Sequence, residues 1–472
     1  MSHRKEHIDT DLLRRWLGLI LSVGFIVFFK IRTPFEGLTP AGMASIGIFL
    51  GSTILYVTWV VPMAVACLTI MILLPHLGVS TYSHIWQDFG GNAFLFVFFC
   101  FGITAALTPT NIPMRMAAWI MKVSKGNPKV IVYGFTFATA LISGVVSNFA
   151  AVAMFAGVAL AFLRSADIKP GKSNLGRCLM ISLPAAAGIG GFFTPAASSI
   201  NIIALQFMNQ AGFSIRFLDW FLISAPFVFL TCFLLSFFLC LFFKPEPTSE
   251  ELQRAVAQQH NKIGNISRKE RLTIVIMVST VILWFAGTWA PVLSPVFVVG
   301  CAVFVMFMPG VDLLTWPQFV KEVDWNVTFM VGAVGIVVGC VSTTGAMNWI
   351  VTTLLGGVAQ LSPFWLTLLV GFVIAMLRMV IPTGPAVVAV FAPILLGLAA
   401  ASGQSSVALV MLTAYWGGAA MVLVYTEPLL LYTFGSGYYS AMDMFKVGIF
   451  PTLLIVLVMA LFFQPYVALF GY

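Results

Sequence analysis

Apolar runs long enough to cross a lipid bilayer recur along the whole chain. The first begins near Leu12, and similar stretches follow almost to the C-terminus. A helix needs about 20 mainly apolar residues to span the hydrocarbon core of a membrane. Hydrophobic residues make up 60% of the chain and charged residues only 8%, which no water-soluble core requires. The sequence therefore predicts an all-α polytopic membrane protein.

Hydropathy predicts about eleven transmembrane helices, including a first span over 12–30 and unusually long spans over 92–121 and 327–357. Two further apolar stretches, 130–163 and 363–399, are too long for one span and have turn residues at their centres. Proline removes a helix donor and glycine weakens a helix. We predict that both stretches are re-entrant hairpins, which enter and leave the membrane on the same side.

The centres of the two hairpins are near copies of each other. Residues 147–156 align without a gap on residues 383–392, and half of the aligned positions are identical. This repetition predicts an inverted repeat, with a tail and first span over 1–39, a first repeat over 40–243, a cytoplasmic linker over 244–271 and a second repeat over 272–472. An alternative is that Ala- and Val-rich helices resemble one another by composition alone.

Basic residues support the hairpins and set the orientation. With a cytoplasmic N-terminus and two re-entrant hairpins, most of the 24 Lys and Arg residues fall in cytoplasmic segments, as short loops require. A full crossing by 130–163 would place its two basic flanking loops on opposite sides. The net charge of +8 is thereby explained by topology, so it does not indicate nucleic-acid binding. The linker could hold a short amphipathic helix near 250–259.

Each hairpin is followed by an apolar helix with a polar or glycine-rich break. A broken helix presents unpaired N–H groups to an anion and unpaired carbonyls to a cation, and such breaks form binding sites in transporters. Glycine and proline could instead kink these helices for packing alone. The candidate substrate- and ion-binding residues of the tips and breaks are Ser143, Ser147, Asn148, Gly190, Gly191, Thr194, Ser198, Asn201, Thr383, Gly384, Thr426 and Glu427.

These motifs resemble the divalent anion/sodium symporter family, which carries di- and tricarboxylates or sulfate. The similarity rests on Ser147-Asn148 at the first tip, Gly190-Gly191 with Thr194-Pro195 in the first break, and Phe434-Gly435-Ser436-Gly437 near the end. The resemblance implies a homodimer, an elevator movement of a transport domain, and sodium bound at Ser147, Asn148 and Gly190.

The chain departs from the family pattern at both tips, and most at the second. Phe149 and Pro385 replace the threonines of the two tips, and Gly384 replaces the second asparagine. Two charged residues could compensate for these losses, Arg378 inside the second hairpin and Glu427 in the following break. A charge inside the membrane is costly and therefore marks a functional candidate, although Arg378 and Glu427 could also form a structural ion pair. We expect Arg378 to help neutralise the substrate and Glu427 to respond to protons.

The function that these features predict is secondary active transport of a small organic anion, a di- or tricarboxylate, as a sodium symporter or anion exchanger. Alternatives are proton-coupled transport of sulfate or another inorganic anion, and a channel. The sequence has no HExxH or Gly-x-Ser-x-Gly motif, so an enzyme is not expected. The expected partners are the anion, the bilayer of a cell inner membrane and a second copy of the chain, with no cofactor beyond a sodium ion.

Overall fold

The computed structural model describes residues 2–165, 168–246, 264–354, 356–379, 381, 383–419, 421–424 and 427–472. Within these ranges the chain forms α-helices, two short 3₁₀ turns and no β-strand. The prediction of an all-α protein is confirmed. Most of the linker, including the suggested helix near 250–259, lies outside the described residues, as does Thr426.

The helices follow one another with short connections. Before the linker they are α1 (Ser2–Ile31), α2 (Pro40–Thr58), α3 (Met63–His76), α4 (Tyr82–Phe89), α5 (Asn92–Leu107), α6 (Ile112–Ser124), α7 (Pro128–Ser143), α8 (Asn148–Ser165), α9 (Asn174–Gly190), α10 (Ser199–Gln210) and α11 (Phe217–Phe243). After it they are α12 (Arg268–Ala286), α13 (Pro295–Phe307), α14 (Trp316–Glu322), α15 (Trp325–Thr343), α16 (Ala346–Leu354), α17 (Pro363–Leu377), α18 (Gly384–Ser402), α19 (Ser406–Gly418), α20 (Pro428–Phe434) and α21 (Ala441–Ala468).

Seven segments of the described chain are long and apolar enough to cross a membrane, and several further apolar helices are shorter. The helices α7 and α8 of the first predicted hairpin both belong to the shorter group. At 1.5 Å per residue, a helix of α7's length extends only about 24 Å, less than the roughly 30 Å thickness of the hydrocarbon core. The total of eleven crossings remains a prediction.

When α1 is set aside, ten described helices precede the linker and ten follow it. The pair α7 and α8 then corresponds in position to α17 and α18, and α2 corresponds to α12, each of 19 residues. Local sequence explains the boundaries, because Asn127, Ser173 and Ser405 accept hydrogen bonds from the first turns of α7, α9 and α19. The inverted relation between the halves remains a prediction.

Two groups of helices pack mainly within themselves. A first group, which we call the scaffold, contains α1 to α5 and α12 to α15, with α3 against α15 and α5 against α13. A second group, the hairpin group, contains α7 to α11 and α17 to α21, with α7 against α9 and α17 against α21. The helices α10 and α18 of the hairpin group touch α15 and α2 of the scaffold. The groups therefore meet beside the hairpins and the breaks.

Two predicted spans are interrupted in a way that the hydropathy did not indicate. The span over 92–121 ends at Leu107 and resumes as α6, while 327–357 is divided at Thr344-Gly345. At the first interruption the Glu270 carboxylate accepts a hydrogen bond from the Asn111 N–H and pairs with Arg115 at 3.0 Å. At the second, Gly345 adopts a φ of 74°, which favours glycine. Both predictions of unbroken spans were wrong.

Candidate functional site: a cavity between the hairpin tips

One cavity of about 400 Å³ joins the two hairpin tips, the two breaks and the scaffold. Of the predicted site residues it is lined by Ser147, Asn148, Ser198, Thr383, Gly384 and Glu427. The scaffold contributes Trp59, Met63, Thr104, Asp324 and Asn326. The tertiary structure thus brings together residues that the sequence places at four separate positions.

Helix N-termini converge on this cavity. Asn148 is the first residue of α8, and Ser198, Thr383 and Glu427 directly precede α10, α18 and α20. All four residues line the cavity. The first N–H groups of a helix have no partner within it, and the aligned peptide dipoles give this end a partial positive charge. The cavity is therefore suited to an anion.

The first tip is held by uncharged groups. Ser143 Oγ lies 2.8 Å from both Asn148 Oδ1 and the Ala187 carbonyl oxygen, so it links the tip to α9. The Ser147 N–H donates to Thr104 Oγ1 at 3.2 Å, which joins the tip to the scaffold. Ser147 and Asn148 keep part of their surface open to the cavity, whereas Ser143 is buried. We call the Ser143, Asn148 and Ala187 group the neutral tip contact.

Thr194 and Asn201 shape the first break from within. The Asn201 amide donates to the carbonyl oxygens of Gly191 at 2.6 Å and of Thr194 at 2.7 Å. The Thr194 hydroxyl donates to the Gly144 carbonyl at 2.6 Å, which connects the break to the hairpin. Both side chains are buried and do not line the cavity. Their hydrogen bonds satisfy carbonyl groups that a broken helix would leave without partners.

Gly190 and Gly191 allow close approach between elements. A Cβ on Gly190 would lie 2.3 Å from the Ala140 carbonyl oxygen, and one on Gly191 would lie 2.6 Å from Asn148 Nδ2. The Gly190 carbonyl accepts a hydrogen bond from the Phe193 N–H at 2.9 Å. Neither glycine lines the cavity. Both glycines therefore lie behind the tip, Gly190 against α7 and Gly191 against Asn148.

The second tip offers a hydroxyl to the cavity. Thr383 Oγ1 is buried and has no hydrogen-bond partner within the described chain, although Thr383 lines the cavity. Gly384 packs so closely against α19 that a Cβ would lie 2.4 Å from the Gly417 carbonyl oxygen. Since an unpartnered buried hydroxyl is costly, a bound ligand is a natural partner for Thr383.

Arg378 and Glu427 link the second tip to the second break. Arg378 is 2% exposed, and its guanidinium pairs with the Glu427 carboxylate. The guanidinium also donates to the Ile381 carbonyl at 2.7 Å. Glu427 lines the cavity, whereas Arg378 lies behind it. We call the Arg378, Glu427 and Ile381 group the charged tip contact.

The scaffold wall includes residues that the sequence analysis did not select. Asp324 and Trp59 both line the cavity, and neither was among the candidate site residues of the sequence analysis. Asn326 Oδ1 accepts a hydrogen bond from the Ala64 N–H at 3.1 Å, which fixes the start of α15 beside the start of α3. The polarity of Asp324 and Asn326, near the end of an apolar segment, was visible in the sequence. Only tertiary packing places them opposite the hairpin tips.

Comparison with known proteins identifies the class. Residues 53–417 match the sequence model of the family described as citrate transporter, so the chain belongs to the citrate transporter family. The predicted resemblance to divalent anion/sodium symporters is confirmed. The chain is therefore a multi-pass membrane transporter rather than an enzyme.

Relatives agree with this assignment, and two solved structures have a similar fold. A protein of Staphylococcus saprophyticus named sodium-dependent dicarboxylate transporter SdcS is 24% identical, with 98% of this chain and 92% of that protein aligned. An uncharacterized transporter of Haemophilus influenzae is also 24% identical, with 94% of this chain and 95% of that protein aligned. The fold is similar to that of the Alcanivorax borkumensis YdaH transporter, at a TM-score of 0.52 and 14% identity over 89% of this chain and 99% of that one. It is likewise similar to the fold of Neisseria gonorrhoeae MtrF, at a TM-score of 0.51 and 15% sequence identity, with 82% of each chain covered.

Proposed function

We propose that this protein carries a small carboxylate anion, a di- or tricarboxylate, across the membrane. The observation that carries the proposal is the convergence of the N-termini of α8, α10 and α18 on one cavity, together with the unpartnered Thr383 hydroxyl. Half-helix N-termini at the centre of a transporter bind the anionic groups of the substrate. The sodium-dependent dicarboxylate transporters among the relatives support a carboxylate as the cargo.

The polar groups of the cavity suit two separated carboxylates. Ser147 and Asn148 stand at one tip and Thr383 at the other, so one substrate can accept hydrogen bonds from both hairpins. A cavity of about 400 Å³ lies in the range that small organic ligands occupy and exceeds the needs of a bare sulfate ion. Sulfate transport is therefore the weaker alternative.

Coupling is proposed to differ between the two tips. Ser147 and Asn148 line the first tip and can offer side-chain oxygen atoms to a carried sodium ion, although Asn148 Oδ1 and the Gly190 carbonyl each already accept a hydrogen bond. At the second tip the Arg378 guanidinium supplies a fixed positive charge beside Glu427. The positive charge of Arg378 thereby takes the place of a second bound cation. This arrangement favours exchange, or coupling to protons through Glu427, over coupling to several sodium ions.

The proposed movement is an elevator-like displacement of the hairpin group against the scaffold, in a homodimer of the inner membrane with a cytoplasmic N-terminus. The packing of helices into two groups, with the cavity where they meet, supports this proposal. In such a movement the substrate stays with the hairpin group, which carries most of its polar partners.

Purified protein in proteoliposomes tests the function directly. We expect saturable uptake of labelled succinate or citrate, faster when the same anion is present inside, and weaker competition by sulfate than by either carboxylate. Uptake measured with and without sodium and with an inward proton gradient separates the coupling modes. Linear, non-saturable flux without counterflow would indicate a channel, and absence of carboxylate uptake would contradict the proposal.

Cys100 allows the site to be tested independently of transport. It is the cysteine that lines the cavity, so a variant that retains only Cys100 should react with a small maleimide more slowly in the presence of substrate. A matched variant with a single cysteine at the exposed position Lys172 should react equally with and without substrate. Equal reaction of Cys100 in both conditions would place the substrate elsewhere.

The re-entrant hairpin requires its own test. Lys122 and Lys172 are exposed and flank the α7–α8 pair, and both are predicted to be cytoplasmic. Cysteines that replace them, one at a time in a cysteine-free background, should both be protected from an impermeant thiol reagent applied outside. Labelling of one of the two from outside would show a full crossing and contradict the inverted repeat.

A further inference from the structure

Asp324 presents a carboxylate to the cavity from the scaffold side. Its side chain is exposed, and its Oδ1 accepts a hydrogen bond from the Val327 N–H at 3.2 Å in the first turn of α15. Asp324 makes no ion pair within the part of the chain that the structure describes. The N-terminal end of a helix favours a negative charge at this position.

The charges around the cavity are unequal. The other charged side chain among the described lining residues is Glu427, and its carboxylate is neutralised by Arg378 behind it. The described lining contains no lysine or arginine. Asp324 is therefore the one uncompensated full charge of the described cavity wall, and it has the same sign as the substrate of the proposed function.

We propose that Asp324 determines the charge of the substrate that the cavity accepts, disfavouring trianions relative to dianions. The attraction by helix N-termini comes from partial charges of about half a unit each, whereas Asp324 carries a full unit. Repulsion from Asp324 increases with every negative charge added to the substrate. The residue acts from the wall opposite the hairpin tips, so it affects the total charge of the anion rather than the hydrogen bonds to one carboxylate.

Substitution Asp324→Asn tests this inference, which rests on the proposed transport of carboxylates. Asparagine is as good a helix N-cap as aspartate, so the change removes the charge while keeping the start of α15. In proteoliposomes at pH 7.5, unlabelled citrate and unlabelled succinate compete with labelled succinate for uptake. The variant should bind citrate on the order of three- to tenfold more tightly, with a smaller gain for succinate, so that the preference shifts toward the more charged anion.

Two further variants keep the test discriminating. Asp324→Glu retains the charge and should retain the preference of the unaltered protein. Asp88→Asn removes another exposed acid at the end of a scaffold helix, which does not line the cavity, and should change nothing. Equal changes for citrate and succinate in Asp324→Asn, or no change, would overturn the inference.

The remaining outcomes separate this inference from the proposed function. Loss of sodium stimulation in Asp324→Asn, with an unchanged preference between the anions, would make Asp324 a cation ligand and overturn the charge-selection role. Failure of the unaltered protein to take up any carboxylate would overturn the proposed function, and the inference with it. If the unaltered protein takes up carboxylates but Asp324→Asn has the same preference between citrate and succinate, only the role of Asp324 is refuted.

Discussion

The two hairpin tips occupy corresponding positions in the two halves of the chain but are held by different chemistry. The neutral tip contact uses a hydroxyl, an amide and a carbonyl, while the charged tip contact uses a buried guanidinium and a carboxylate. Ser143 is the last residue of α7, and Arg378 directly follows α17. The same backbone arrangement therefore tolerates either an uncharged or an ionic connection between a hairpin and its neighbouring break.

This difference separates two tasks. Groups of the neutral tip contact have no proton to gain or lose near neutral pH, so the charge of this contact stays constant. The charged tip contact contains a titratable group and a fixed cation, so its charge can respond to the substrate or to protons. The following predictions are ordered by the size of the expected effect.

Removal of Arg378 should have the largest effect. Arg378→Ala leaves the Glu427 carboxylate without its cation in a largely buried site, which should lower the free energy of unfolding by about 3 kcal/mol or more and abolish uptake. Thermal unfolding in detergent measures the loss. The double variant Arg378→Met with Glu427→Gln removes both charges and should recover most of the stability without recovering normal coupling. If Arg378→Ala is as stable as the unaltered protein, the ion pair between Arg378 and Glu427 is not a structural connection.

Substitution at the neutral tip contact should affect transport more than stability. Asn148→Ala removes the acceptor of the Ser143 hydroxyl and a polar group of the cavity, so uptake should be lost at a stability cost of about 1 kcal/mol. Ser143→Ala serves as the matched control, because it breaks the same contact from the buried side and should leave measurable uptake. Normal uptake kinetics in Asn148→Ala would remove the first tip from the substrate site.

Replacement of Glu427 should change the response to protons. Glu427→Gln leaves a hydrogen-bond acceptor beside Arg378 but no titratable group, so counterflow of substrate should continue while stimulation by an inward proton gradient disappears. Uptake is measured in proteoliposomes with imposed pH gradients. If the unaltered protein requires sodium and is indifferent to the proton gradient, Glu427 is structural and the coupling resides at the neutral tip contact.

The smallest effect is expected at Glu246, which distinguishes the start of α9 from that of α19. Burial alone would raise the pKa of the Glu246 carboxyl, but hydrogen bonds from the N–H groups of Asn174 and Leu175 and from the Ser173 hydroxyl outweigh it and lower the pKa. The carboxylate therefore stabilises the fold above its ordinary pKa, and this contribution is lost as the pH falls through the lowered value.

The change Glu246→Gln should accordingly lower the free energy of unfolding at pH 7 by less than about 1 kcal/mol, because the group is largely solvated. The difference from the unaltered protein should vanish in acid. Unfolding measured at pH 7 and below pH 4 checks both statements. A difference that persists in acid would assign the effect to packing rather than to the charge.

Much of the architecture could be predicted from the sequence. Long apolar runs permit only membrane helices, because lipid offers no hydrogen bonds to an open backbone. Turn residues within apolar stretches predicted the interruptions near Ser147 and Thr383, since proline and glycine weaken a helix wherever it lies. The interruption at 108–111 was missed although Pro109 and Asn111 are turn residues of the same kind, because the prediction of that span followed hydropathy alone. There Glu270 from a distant helix satisfies the broken end.

The division of roles within the site was decided by the tertiary structure. Asn201, Thr194 and Gly190 have the same local signature as Asn148 and Ser198, yet the first three are turned inward to satisfy carbonyls or to permit close packing. Asp324 carried no signal of a site, because its place opposite the tips depends on how α15 packs against α3 and α10. Sequence determines which segments can break within a membrane, whereas packing between distant segments determines which polar groups remain free to meet a substrate.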